Sequence, residues 1–213
     1  MESAAPPYPA RLEIDYKDGL DRLTTLLRII WIIPIVIILA LISGDRGGTW
    51  VTDEGDRVRS SGTTISLAIG FATALMIVFR QRYPRWWFDF QLALTRFSYR
   101  VGAYAALLRD EYPSTEDEQA VHLEIDYPDV RTQLNRWLPL VKWLLAIPHY
   151  LVLVVITLLG VIAVIVAWLA ILFTGRYPRS LFDYVVGVGR WWLRVSAYAF
   201  LMITDRYPPF SLR

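Results

Sequence analysis

The chain reads as an all-α integral membrane protein of two pseudo-repeats, each a short cytoplasmic strand, a transmembrane helical hairpin and an interfacial amphipathic helix. Three observations predict this. Hydrophobic residues make up 55% of the 213 positions and charged ones 20%, with a mean hydropathy of +0.37. A soluble domain of this size carries less apolar material, so one core cannot hide it all. The stretch Trp143–Gly175 then runs 33 residues without an Asp, Glu, Lys or Arg, too long for a core helix and enough for two short spans. Third, long segments of the chain recur in order.

Leu12-Glu13-Ile14-Asp15-Tyr16 returns unchanged as Leu123-Glu124-Ile125-Asp126-Tyr127. Arg28 to Pro34 returns as Lys142 to Pro148, and Arg82-Tyr83-Pro84-Arg85-Trp86-Trp87-Phe88-Asp89-Phe90 as Arg176-Tyr177-Pro178-Arg179-Ser180-Leu181-Phe182-Asp183-Tyr184. Arg96, Arg100 and Tyr104 are matched by Arg190, Arg194 and Tyr198, and each copy closes on a Tyr-Pro, Tyr112-Pro113 and Tyr207-Pro208. The acidic, turn-rich Asp110–Gln119 separates the copies, giving repeat 1 over 1–112 and repeat 2 over 113–213.

The first element of each copy is a strand, 11–16 and 121–127. Leu12, Ile14 and Tyr16 alternate with Arg11, Glu13 and Asp15, the period of two of a half-buried strand. The two strands can pair with each other or with another subunit. The hairpin of repeat 1 is expected over 23–42 and 63–80, around the polar insert Ser43–Gly62, where Thr49–Val51 and Arg57–Arg59 flank a turn as a small β-hairpin. Repeat 2 lacks the insert, so its spans, 137–157 and 160–174, must turn within Thr157–Gly160. At about 1.5 Å per residue such legs are slightly short of a ~30 Å hydrocarbon core, a wedge-like shape. Pro34 and Pro148 fall inside the first leg of each hairpin, where proline kinks a helix.

The fourth element, 84–108 and 178–203, opens on Tyr-Pro-Arg, with proline suited to a first helical turn. Asp89, Arg96 and Arg100 share one face, as do Asp183, Arg190 and Arg194. Crossing the bilayer would cost about 2.5–3.5 kcal/mol per buried charge, so lying flat in the interface is the favoured arrangement. If these helices crossed instead, the copies would be inverted, as in many transporters. Of the 22 Lys and Arg, 19 lie outside the Ser43–Gly62 insert, which puts both termini in the cytoplasm of a multi-pass protein. Trp86, Trp87, Trp137, Trp143, Trp191 and Trp192 suit the headgroup level. Met1–Ala10 lacks a basic-then-apolar signal pattern and reads as an uncleaved cytoplasmic segment.

Twenty Arg against two Lys suit phosphate, which a guanidinium grips through a planar fork. The candidate lipid-headgroup residues are therefore Arg82, Arg85, Arg96 and Arg100 with Arg176, Arg179, Arg190 and Arg194, and Asp89 and Asp183 are their pairing carboxylates. The absence of Cys excludes disulfides, thiolate catalysis and iron–sulfur ligation. His149 lies deep in an apolar run and His122 in a strand pattern, a placement that fits a hydrogen-bonded core residue and a solvated one better than a metal or haem site. No phosphate-cradling loop, nucleophile elbow or catalytic carboxylate pair appears, so neither an enzyme nor a cofactor is expected.

At Tyr83–Phe90 and Tyr177–Tyr184, the pattern Tyr-Pro-Arg-x-x-Phe-Asp-Phe/Tyr, the chain resembles a bacterial inner-membrane family, domain-of-unknown-function family 4389. The resemblance implies a tandem two-copy member and supplies no activity or catalytic residue. The expectation is a non-enzymatic inner-membrane scaffold or accessory subunit. It binds anionic lipid and docks on a larger membrane complex or shapes the bilayer, with a membrane-protein partner or a second copy and no nucleic acid. The alternative is a small oligomeric transporter or channel for a lipid-like or small solute, which needs a polar path through the spans.

Overall fold

A computed structural model of the chain describes residues 7–37, 49–51, 57–59, 65–115, 117 and 119–213. At its centre two strands pair antiparallel, β1 (Ala10–Ile14) with β4 (Val121–Ile125), Leu12 opposite Leu123. Alternation decides which face turns inward. Ala10, Leu12, Ile14, Val121, Leu123 and Ile125 are buried, while Arg11, Glu13, His122 and Glu124 face out. Arg11 bridges Glu124 at 3.1 Å and Asp126 at 3.0 Å on that outer face. A second, smaller pair, β2 (Thr49–Val51) with β3 (Arg57–Arg59), forms in the insert.

Helix α1 (Arg22–Trp31) starts on Asp21, whose carboxylate accepts from the Leu23 amide at 3.1 Å and the Thr24 hydroxyl at 2.6 Å. Helix α2 (Ile65–Leu75) runs into a π-helical turn, Met76–Arg80, and ends at Gln81 in the left-handed region, φ 47°. The wide turn leaves the Val78 carbonyl free to accept from Arg136 Nε at 2.5 Å. Helix α3 (Arg85–Ala105) follows Pro84, and the short α4 (Val130–Gln133) and α5 (Pro139–Leu145) lead to α6 (Ile147–Thr174) and α7 (Arg179–Ala199). The buried face of the β1–β4 sheet meets α7 through β1 and α3 through β4, and α7 also packs along α6.

The recurring segments make matching contacts crosswise. Arg190 Nε on α7 donates to the Leu12 carbonyl of β1 at 2.8 Å, and Arg96 Nε on α3 donates to the Leu123 carbonyl of β4 at 3.0 Å. The Tyr16 hydroxyl donates to the Tyr177 carbonyl at 2.7 Å, and the Tyr127 hydroxyl to the Tyr83 carbonyl. Each strand is thus fastened to the helix of the other half.

Two buried cations close the ends of α3 and α7. Arg28, 3% exposed, donates to the Tyr104 and Arg109 carbonyls at 3.1 and 3.0 Å and pairs with Asp110 at 2.5 Å. Lys142, fully buried, donates to the Thr204 carbonyl at 2.8 Å and pairs with Asp205 at 2.7 Å. Burial pulls the Lys142 ammonium below its ordinary value, and Asp205 partly restores it.

The expected multi-span all-α architecture is not what forms. Among the described residues one helix, α6, is long and apolar enough to cross a membrane. In place of the spans 137–157 and 160–174, α6 continues through Thr157–Gly160 without a turn. A lone glycine costs a helix only about 1 kcal/mol, and the surrounding run holds it. Thr157 receives the Trp192 indole N–H at 2.9 Å and makes a lateral contact where a reversal was expected. Pro148 sits in the first turn of α6 after a break at Ala146, where its missing N–H costs nothing, so it starts a helix and does not kink a leg. Likewise α1 closes at Ile32 and helical backbone resumes over 33–37, with Pro34 near its start. Of the expected first hairpin, 38–42 and 63–64 lie outside the described residues. The apolar faces of α3 and α7, expected to enter the bilayer interface, rest largely against protein: Leu193, Val195 and Ala197 are fully buried, and Val101 is 4% exposed.

Candidate functional site

Both Tyr-Pro-Arg segments follow a left-handed helix end. Gly175 closes α6 at φ 74° with its amide on the Ile171 carbonyl at 2.7 Å, and Gln81 closes α2 with its amide on the Ile77 carbonyl at 3.1 Å. The tyrosine then turns inward. Tyr83, 3% exposed, donates to the Leu201 carbonyl at 3.0 Å and sits 2.9 Å from Gln91 Oε1, and burial pushes its phenol well above the ordinary value. Tyr177 is 1% exposed and shifts the same way for the same cause. Proline and arginine next open α3 and α7, the arginine turned outward.

At this end, Arg85 lies over the Tyr127 ring at 4.7 Å and 3.6 Å from Asp89, and Arg179 lies over the Tyr16 ring at 4.5 Å and 3.4 Å from Asp183. Asp89 and Asp183 each lie within ion-pair distance of the arginine four residues before them, and such exposed pairs contribute little to stability. The other four candidates lie elsewhere. Arg96 begins about 16 Å further along the α3 axis than Arg85, too far to share a phosphate with it. Arg96 and Arg190 bond strand carbonyls, Arg100 donates to the Ser114 carbonyl at 2.7 Å, and Arg194 donates to the carbonyls of Arg213, at 2.8 Å, and of Ser211. The donors that suggested a lipid grip hold backbone in place, and the expected eight-arginine site separates into different places.

Arg82 and Arg85 instead join Arg80 and Arg131, two residues absent from the sequence-based candidates, around an open cleft of about 620 Å³ floored by Gln81 and Tyr127. Among the described residues Arg80, Arg82 and Arg131 make no ion pair. The one carboxylate lining the cleft, Asp129, caps α4 by accepting from the Arg131 amide at 3.1 Å, and hydrogen bonds to Thr132 and that amide hold it below its ordinary value. With Arg85 paired to Asp89 and Asp129 committed to its cap, the three guanidiniums of Arg80, Arg82 and Arg131 still make the cleft an anion-attracting surface.

His149 is fully buried, receives the Trp191 indole N–H on Nδ1 at 3.1 Å and stacks on Phe210 at 3.9 Å. His122 is exposed, 3.3 Å from Asp15. Among the described residues no group of three His, Cys, Asp or Glu could hold a metal ion.

Residues 137–211 match a family model described as Domain of unknown function (DUF4389), a segment that covers α5, α6, α7 and the residues after them. None of the curated proteins and none of the solved structures matches the chain.

Proposed function

We propose that this chain is a non-enzymatic, membrane-held scaffold in which two copies of one strand-and-helix unit exchange strands. In this reading α6 holds the protein in the lipid, and the arginines that open α3 and α7 face anionic headgroups. The observation that carries the reading is the outward side of α6. Leu151 is 68% exposed, Leu158 62%, Ile165 54% and Phe173 79%, a continuous apolar face that none of the other described residues covers. Twenty-eight residues at about 1.5 Å each extend roughly 42 Å, more than a ~30 Å hydrocarbon core requires. The crosswise bonds of Arg96 and Arg190 support the strand exchange, since equivalent side chains hold equivalent carbonyls. The exposed face of α1, with Leu23, Ile30 and Trp31, supports docking on a further membrane protein, in keeping with an accessory subunit.

Membranes from cells making the full chain, washed with alkaline carbonate, test this reading. The wild type should stay with the lipid. Leu158→Arg with Ile165→Arg should release it, because each arginine near the bilayer centre costs about 2.5–3.5 kcal/mol. Release of the wild type by the wash would refute membrane insertion.

A further inference from the structure

The two Tyr-Pro-Arg turns share a backbone plan, yet one is covered and the other open. Counting four residues on from the strand-end tyrosine reaches Leu20 after Tyr16 and Arg131 after Tyr127. Leu20 is 5% exposed, and its amide donates to the Gly175 carbonyl at 2.9 Å, so the chain after β1 lies over the left-handed turn. Arg22 adds to the cover, its Nε 3.5 Å from where a Cβ on Gly175 would stand. On the other side, the chain after β4 enters α4 and turns Arg131 outward into the cleft. Two further exchanges act in the same direction. Thr174 and Gly175 precede one Arg-Tyr-Pro-Arg, and Arg80 and Gln81 precede the other. One turn is therefore plugged by a leucine, while its counterpart gains two arginines and an opening.

We propose that the open cleft at the start of α3, framed by Arg80, Arg82, Arg85 and Arg131, binds the phosphate of an anionic phospholipid, and that the covered turn at the start of α7 does not. Arg80, Arg82 and Arg131, without ion-pair partners among the described residues, offer phosphate the bidentate, charge-assisted bonds that it accepts best, and Arg85 adds its charge while paired with Asp89. The cleft is also placed for a lipid: Phe79, next to Arg80, is 71% exposed, and Trp86, next to Arg85, is 68% exposed. Apolar side chains beside a basic cleft give acyl chains somewhere to lie while the headgroup is held. This assignment rests on the membrane reading above and adds to it a single, unsymmetrical headgroup site.

The full chain, purified in a zwitterionic detergent, should be titrated by calorimetry with a short-chain phosphatidic acid, a phosphatidylcholine of the same chain length, and inorganic phosphate. Phosphatidic acid should bind one per chain and tighter than either of the others. Arg80→Gln with Arg131→Gln should weaken it by at least about tenfold, as expected for lost charge-assisted bonds. Lys17→Gln with Arg22→Gln, an equal loss of charge beside the covered turn, should change it by less than about twofold. Equal weakening by both pairs, or none by the first, would overturn the site. Inorganic phosphate binding as tightly as phosphatidic acid would overturn the lipid and make the ligand a soluble phosphate. Flotation of the same variants with phosphatidylcholine vesicles keeps the two readings apart. The Arg80/Arg131 variant should float like the wild type, whereas a wild type that fails to float counts against membrane insertion and not against the cleft.

Discussion

Arg28 and Lys142 occupy matching positions in the two halves, and each closes the far end of a long helix by a different means. The Arg28 guanidinium spreads over two carbonyls and Asp110 and lies 4.5 Å from the Tyr104 ring centre. The Lys142 ammonium gathers the Thr204 carbonyl and Asp205 at a single point, 5.2 Å from the Tyr198 ring centre. A planar fork ties together groups that are apart, while a point charge needs them to converge. In both places the acid follows the end of the helix, so the cation fixes the direction in which the chain leaves.

Removing either cation should have the largest effect. Arg28→Ala removes the cation from two carbonyls and Asp110, and Lys142→Ala removes it from one carbonyl and Asp205, so each breaks a buried ion pair and should cost about 3–5 kcal/mol of stability, read by denaturant unfolding. Exchanging the two chemistries should separate the halves. Arg28→Lys cannot reach all three acceptors and should be clearly destabilising, by about 1.5–3 kcal/mol for a lost bond to a charged group.

Alkaline pH tests the same contrast. Folded Lys142 releases its proton more easily than the unfolded chain does, so between its lowered value and the ordinary 10.5 the unfolded state binds more protons, and this group makes stability rise with pH. Tyr8, Tyr83 and Tyr177 act in the opposite sense. Burial raises their phenols above the ordinary 10.0, the folded state holds more protons there, and stability falls as pH climbs past about 10. Melting temperature against pH should therefore fall above about 10, and Lys142→Arg should steepen the fall, because a guanidinium keeps its proton throughout this range. An unchanged slope in that variant would remove Lys142 from the balance.

The smallest effect concerns the helix ends. Gln81 holds a left-handed conformation that glycine adopts without strain, and Gly175 already uses glycine for it. Gln81→Gly should stabilise by about 1 kcal/mol, and Gly175→Ala should destabilise by a similar amount, both measured as shifts in the unfolding midpoint.

Much of the frame was legible. Alternation marked Leu12, Ile14, Leu123 and Ile125 as an inward face, and Pro84 and Pro178 marked where helices begin. What covers an amphipathic face was not legible, since the same stripe serves lipid or a sheet. Hence α3 and α7 were expected to lie on a membrane and instead rest largely on protein. Nor does a threonine and a glycine in an apolar run say whether the chain reverses there, so the continuity of α6 was missed. At the site, Arg82 and Arg85 belong to the recurring motif and stood out. Arg80 and Arg131 differ from Thr174 and Leu20 at the matching places, so they lie outside the recurring motif and carry no repeat signal.

The crossed fastening of the strands sets a schedule for synthesis. β1 is made before β4 and α7: the partner strand that holds Glu124 lies 113 residues after Arg11, and Arg190 lies 178 residues after Leu12. At about 5–20 residues per second, β1 waits on the order of ten seconds with an open edge before β4 is made. A strand made well before its partners is among the last to be secured, which makes the rate of translation between the two halves a determinant of how much chain reaches the folded state.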